Sequence, residues 1–273
     1  MVNGYAVHTL QEALEVRNGK KVTPYAGGTD LMIQAKEDAV YLFLNKIEEL
    51  KRITEDDECI RLGAACTFTQ ILEDKSVPEI LRTAVSQIGA PAIRNMGTIG
   101  GNICNASPKA DSALIFFVAD AKLRLISKSG ERILPIADFY LGRGKTTLQE
   151  DELLAEVLMP KKGVGNFYYQ KVGARNALAI SRVSFVGILS VEKDTIIHCA
   201  TAFGAIESTI VRKPEIDQML IGKTIAEARE DKEAYLRTYE AAIQPIQGRV
   251  STEYRKQVCM NLLQDFLVQN GIS

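Results

Sequence analysis

Two glycine-paired segments in this chain of 273 residues have the composition to hold an anion: Pro24-Tyr25-Ala26-Gly27-Gly28-Thr29-Asp30-Leu31 and Thr98-Ile99-Gly100-Gly101-Asn102. A glycine pair permits positive φ and leaves neighbouring N–H groups unscreened, so consecutive amides can turn onto a phosphate oxygen. One such pair is weak evidence, because Gly-Gly occurs in many turns. Two of them, about seventy residues apart and flanked by Thr29, Asp30, Thr98 and Asn102, read as halves of one clamp. Such a clamp would hold a ligand with at least two phosphates across a cleft. Residue types and spacing thus point to a nucleotide and to none in particular. The spacing is not the Gly-x-Gly-x-x-Gly of a Rossmann turn. Gly142-Arg143-Gly144-Lys145 lacks the spacing of a phosphate loop and reads as a surface turn.

The elements that must carry the two turns can be read from capping and periodicity. Thr9 and Glu12 form a capping box before Leu10, Ala13 and Leu14, which share one helical face. A strand at residues 22–26 follows, so the first turn closes a helix–strand unit and opens a helix expected over 31–36. Residues 40–44 read as a strand, and Ile60, Leu62 and Ala64 alternate in the next. Thr67 with Gln70, and Ser76 with Glu79, form two more capping boxes. Ile80, Leu81, Ala84, Val85 and Ile88 then make a helical stripe, stopped by Gly89-Ala90-Pro91, which delivers the chain to Arg94 and the second turn. Asp111 opens an apolar helix through Phe117, and residues 122–126 alternate as a strand. Lys161-Lys162-Gly163-Val164-Gly165 has the composition of a linker. Beyond it come strands at 183–191 and 195–203, helical segments at 225–229 and 237–243, and a last helix carrying Val258, Leu262, Leu263, Phe266 and Leu267.

Bulk composition narrows the function classes. The chain has 33 basic and 34 acidic residues and is 46% hydrophobic, an ordinary globular balance that offers no general field for nucleic acid or an anionic membrane. No apolar run approaches the roughly 20 residues of a membrane span, and Met1-Val2-Asn3-Gly4-Tyr5 does not begin a leader, so a cytoplasmic protein is expected. Cysteines at 59, 66, 104, 199 and 259 show no close pair. They are expected as free thiols with no metal in the chain. His8 and His198 lie outside both glycine motifs and are expected neither as catalysts nor as anchors for a covalently attached cofactor.

The two glycine segments, with Ile93-Arg94-Asn95-Met96-Gly97 before the second and Ser107-Pro108 and Asp111 after it, resemble the FAD-binding subunit of the xanthine dehydrogenase (molybdenum hydroxylase) family, which includes the medium chain of carbon monoxide dehydrogenase. The resemblance continues through Arg61-Leu62-Gly63-Ala64 with Thr67, Glu152-Leu153-Leu154, Lys171 with Arg175, and Arg249, Ser251, Tyr254 and Arg255. It implies an α+β fold: a two-lobed FAD-binding domain of the PCMH type over residues 1–162, with lobes of about 1–52 and 53–162 as small α/β subdomains, then a smaller α+β domain over 163–273. It implies non-covalent FAD held by residues 24–31 and 98–102, with Asp111 on the ribityl and ribose side, Leu154 at the adenine end and Lys171 near the flavin ring. Ile88 departs from the aromatic flavin neighbour of some relatives.

What the resemblance implies about function is an electron-transfer subunit with no catalytic residue of its own. Molybdopterin would reside on a large partner subunit and iron–sulfur clusters on a small one, with NAD as one candidate acceptor. Two other readings stay open: a self-sufficient FAD-dependent oxidoreductase with substrate bound at the flavin, and a nucleotide-binding regulatory module.

Overall fold

The computed structural model describes residues 3–35 and 37–273. Met1, Val2 and Lys36, the last of which closes the helix expected over 31–36, lie outside the described residues. The chain divides into two compact units. The first comprises Met1–Val77, Val85–Ser107 and Asp120–Lys161; the second comprises Pro78–Ala84, Pro108–Ala119 and Lys162–Ser273.

The first unit contains a parallel three-stranded sheet in the order β1 (Asn3–Ala6), β3 (Val40–Phe43), β2 (Thr23–Tyr25). Helix α1 (Leu10–Gly19) makes the crossover from β1. It starts where the sequence says, because Thr9 accepts from the Glu12 amide and the Glu12 carboxylate accepts from the Thr9 amide. Ala13 from α1, Leu42 from β3, and Ile47 and Leu50 beyond it are buried in the core of this sheet. A second, antiparallel sheet has the order β4 (Ile53–Glu55), β5 (Cys59–Gly63), β10 (Leu153–Pro160), β6 (Lys122–Ser127), β7 (Gly130–Pro135). Its central strand β10 comes last in the chain. A hairpin of β8 (Tyr140–Gly142) and β9 (Lys145–Thr146) carries the turn that had mimicked a phosphate loop. Short helices α2 (Phe68–Glu73), capped by the Thr67–Gln70 box, α4 (Pro91–Arg94) and α5 (Ile99–Cys104) lead through the second glycine turn. In chain order α3 (Glu79–Ser86) comes between α2 and α4, its residues through Ala84 belonging to the second unit, and α7 (Ile136–Phe139) precedes the hairpin.

The second unit is built on an antiparallel sheet in the order β11 (Phe167–Val172), β12 (Val183–Glu192), β13 (Thr195–Gly204), β14 (Val211–Arg212). Helix α6 (Asp111–Val118) is buried along its whole length and packs on β12 and β13, as an all-round apolar helix must. Helix α8 (Pro214–Asp217) is followed by α9 (Ile225–Ala242) and α10 (Thr252–Gln269). Phe266 of α10 approaches so closely that a Cβ on Gly187 of β12 would lie 2.7 Å from its ring. The two helical segments expected at 225–229 and 237–243 are one helix. Residues 230–236 between them are charged and lack an apolar stripe, yet Glu, Lys, Ala and Leu there are strong helix formers.

Candidate functional site

The first glycine turn is anchored where the Leu44 amide donates to the Tyr25 carbonyl (2.8 Å) at the end of β2. The chain then reverses through Gly28 at φ +70°, over the Tyr25 ring. An alanine Cβ at Gly28 would lie 2.2 Å from the Tyr25 hydroxyl. Among the described residues, the amides of Gly27, Gly28 and Thr29 donate to no acceptor, so three adjacent main-chain donors remain for a ligand. The segment expected as a helix is instead a short 3-10 turn, Leu31–Gln34. Asp30 stands at its start without capping it, because its carboxylate accepts from the Asn105 amide group (2.6 Å) beyond the second turn.

The second turn is held from several sides. Arg94 donates to the Ile88 and Gly89 carbonyls (3.0 and 2.8 Å), the Thr69 hydroxyl donates to Asn95 (2.6 Å), and the Phe68 amide donates to the Gly97 carbonyl (3.0 Å). Thr98 caps α5 by accepting from the Gly101 amide (3.1 Å), and the Gly100 amide donates to the Ala64 carbonyl (2.8 Å). The amides of Gly100 and Gly101 are therefore bonded within the chain, and the two turns are not equivalent halves. Glycine serves the second turn by allowing close approach: a Cβ on Gly100 would sit 2.7 Å from the Ala64 carbonyl oxygen. The same need joins the two turns, since a Cβ on Gly27 would fall 1.9 Å from the Met96 carbonyl oxygen.

Between these turns lies a cavity of about 350 Å3, at the small end of the ~300–1,000 Å3 range of ligand pockets. Of the residues expected from the sequence, Pro24, Ala26, Gly27, Gly28, Thr29, Asp30, Leu31, Thr98, Gly100, Gly101, Asn102 and Leu154 line it. Tyr25 and Ile99 do not; Tyr25 packs edge-on against Tyr41 and Ile99 is buried in the core. The sequence reading missed Arg17, Cys104, Leu148 and Leu153, which also line it.

Asp111 and Lys171 belong to the second unit, where they pair with each other at 2.7 Å. Asp111 opens α6 without capping it; its carboxylate accepts instead from Lys171 and from the Ser181 hydroxyl (2.7 Å). Burial pushes the Asp111 carboxyl up from its ordinary value, and Lys171 and Ser181 pull it back. The Tyr169 hydroxyl is buried without a hydrogen-bond partner among the described residues, and burial together with the Asp111 charge pushes its phenol up. Among the described residues no group of three or more His, Cys, Asp and Glu is placed to hold a metal ion.

Burial pushes the thiol of Cys66 up to about 11, and those of Cys104 and Cys259 up to about 12. The thiolate is the reactive form, so iodoacetamide at pH 8 should label the partly exposed Cys59 well before these three in the native chain. Peptide mass spectrometry over a time course reads the order, and equal rates for Cys59 and Cys66 would refute it.

A family model of the FAD binding domain in molybdopterin dehydrogenase matches residues 1–162, and one of the CO dehydrogenase flavoprotein C-terminal domain matches residues 168–269. The chain belongs to the xanthine dehydrogenase family of FAD-binding subunits. It is 32% identical to the xanthine dehydrogenase FAD-binding subunit of Escherichia coli O157:H7 over 94% of this chain and 90% of that one. To the nicotinate dehydrogenase FAD-subunit of Eubacterium barkeri it is 30% identical, over 97% and 94%. A chain of carbon monoxide dehydrogenase from Hydrogenophaga pseudoflava shares the fold, with a TM-score of 0.89 at 23% identity over 97% and 96% of the two chains.

The cavity of this FAD-binding subunit suits the cofactor's diphosphate chemically. The unspent amides of Gly27, Gly28 and Thr29 and the Thr98 hydroxyl proton are donors, and Asp30, the carboxylate at the wall, is already engaged by Asn105. Among the described residues no helix is long and apolar enough to cross a membrane.

Proposed function

We propose that the chain holds FAD without a covalent bond and acts as the electron-transfer subunit of a multi-subunit molybdenum hydroxylase in the cytoplasm. The observation that carries this reading is the donor-lined cavity at the meeting of Gly27 with the Met96 carbonyl, inside the region matched as an FAD binding domain. When bound, FAD supplies the exchange between one-electron and two-electron transfer. The chain's own residues bind and orient: the amides of Gly27, Gly28 and Thr29 with the Thr98 hydroxyl hold the diphosphate, and Leu154 gives an apolar wall. The family resemblance supports assigning Asp111 and Lys171 to the cofactor as a further proposal. In this reading the electrons come from iron–sulfur clusters on a small partner, fed by a molybdopterin-bearing large partner, and leave to NAD or another acceptor.

The chain expressed alone should bind one FAD that is released intact on denaturation. The complex isolated from its native host should carry molybdenum and iron as well. A chain that takes up no added FAD would overturn the cofactor assignment. A flavin that persists on the denatured polypeptide would overturn the non-covalent one. A native protein containing FAD but neither metal would overturn the assignment to a molybdenum hydroxylase.

A further inference from the structure

Arg17, in the last turn of α1, is the one cationic side chain among the described residues lining the cavity. It is held before any ligand arrives: its Nε donates to the Glu152 carbonyl (3.3 Å) and one Nη donates to the Val22 carbonyl (2.5 Å). The Glu152 tether is itself fixed. Its side chain accepts from Arg132 at 2.6 and 2.9 Å and from the Gln149 amide at 2.8 Å, while Arg132 also donates to the Thr147 carbonyl. The segment so clamped contributes Leu148, Leu153 and Leu154 to the cavity lining, with Leu153 and Leu154 directly following the Glu152 that tethers Arg17.

A planar cation beside a leucine wall suits one kind of group. Burial pulls the Arg17 guanidinium down from its ordinary value, yet an arginine stays protonated at neutral pH. With two donors spent on carbonyls it keeps further N–H groups and a flat face. A phosphate pressed against the leucines would lose hydration to hydrocarbon, and the Gly27, Gly28 and Thr29 amides already offer it donors. A purine presents a π-face to the guanidinium and the leucines and ring nitrogens that accept in-plane N–H groups.

We propose that Arg17 recognises the adenine base of FAD, making the affinity depend on the adenosine half of the cofactor and not on the flavin half. The inference rests on the FAD reading above. Because its side chain is immobilised by two main-chain carbonyls, Arg17 loses little freedom on binding, which favours affinity.

The test compares the full-length apo chain with its Arg17→Met and Arg17→Lys variants, titrated with FAD, FMN and ADP, with the thermal midpoint measured for each apo protein. Arg17→Met should weaken FAD and ADP by a common factor of about ten, the size expected of a desolvated cation over a ring. It should leave FMN where it stands in the parent. Arg17→Lys, which keeps the charge but loses the flat fork, should fall between. Unchanged ADP affinity in Arg17→Met, or a loss for FMN in step with FAD, overturns the assignment. A purely structural role would lower the thermal midpoint and reduce FMN and FAD alike. Failure of the parent chain to bind FAD at all would sink the cofactor reading instead, so the two failures are distinguishable.

Discussion

Gly27→Ala is expected to cost FAD affinity up to about a hundred-fold. The added Cβ would stand 1.9 Å from the Met96 carbonyl oxygen and 3.1 Å from the Gly97 Cα. Both obstacles are main chain, so no rotamer change can relieve the contact and the two bends must separate. Overpacking of this kind costs up to about 3 kcal/mol, which is roughly a hundred-fold in Kd if it falls on binding. Separation would also strain the Asp30–Asn105 hydrogen bond that crosses between the turns. Gly19→Ala is the control, since nothing lies within 4 Å of a Cβ there. Flavin fluorescence titration of the parent and both variants, with apo thermal midpoints, reads the result. Binding by Gly27→Ala within about three-fold of the parent would mean that the bends do not need this approach.

The site's glycines were legible because each use demands that residue type, whatever the distance in sequence of what it meets. A positive φ at Gly28 and a main-chain approach at Gly27 and Gly100 both demand the residue type that the sequence displays. The capping boxes at Thr9 and Thr67 were legible because each is four residues of self-contained chemistry. Strand β10 was not. It is the central strand of its sheet and buried on both faces, so Leu153, Leu154, Ala155, Val157, Leu158 and Met159 show no alternation. Arg17 was not legible either. Near a helix end it reads as an ordinary solvated cation, and one of the two carbonyls that tether it lies 135 residues away. The roles expected of the glycines also divided unequally. Exposed donors belong to the first turn, whereas the second spends its amides on Ala64 and Thr98 and contributes a hydroxyl. Composition alone could not separate those uses, because an unscreened amide and a close packing contact call for the same residue.

The largest expected loss of stability lies in the second unit, at Asp217 of α8. Its carboxylate accepts from the Thr201 amide and hydroxyl (2.9 and 2.8 Å), from the phenols of Tyr235 and Tyr239 (2.9 and 2.7 Å), and from Arg212. Asp217 is 1% exposed, and burial pushes its carboxyl up while Arg212, Tyr239 and Thr201 pull it back. The network joins α8 and α9 to β13 and β14 at one point. Asp217→Ala would leave the Arg212 charge buried without this carboxylate and remove an acceptor from each phenol, Tyr239 keeping the Thr201 hydroxyl and the Lys213 carbonyl. Removing one member of a buried pair costs about 3–5 kcal/mol, and unsatisfied donors add to that. At roughly 2–4 °C per kcal/mol for domains of 150–250 residues, the thermal midpoint should fall by about 10 °C. The double change Asp217→Ala with Arg212→Met should recover part of the loss, because it removes the buried cation along with its carboxylate. Guanidinium unfolding of the parent, single and double variants measures all three. A single-variant loss below about 1 kcal/mol would show that water replaces the carboxylate and that the network is not what holds α8 and α9 to the sheet.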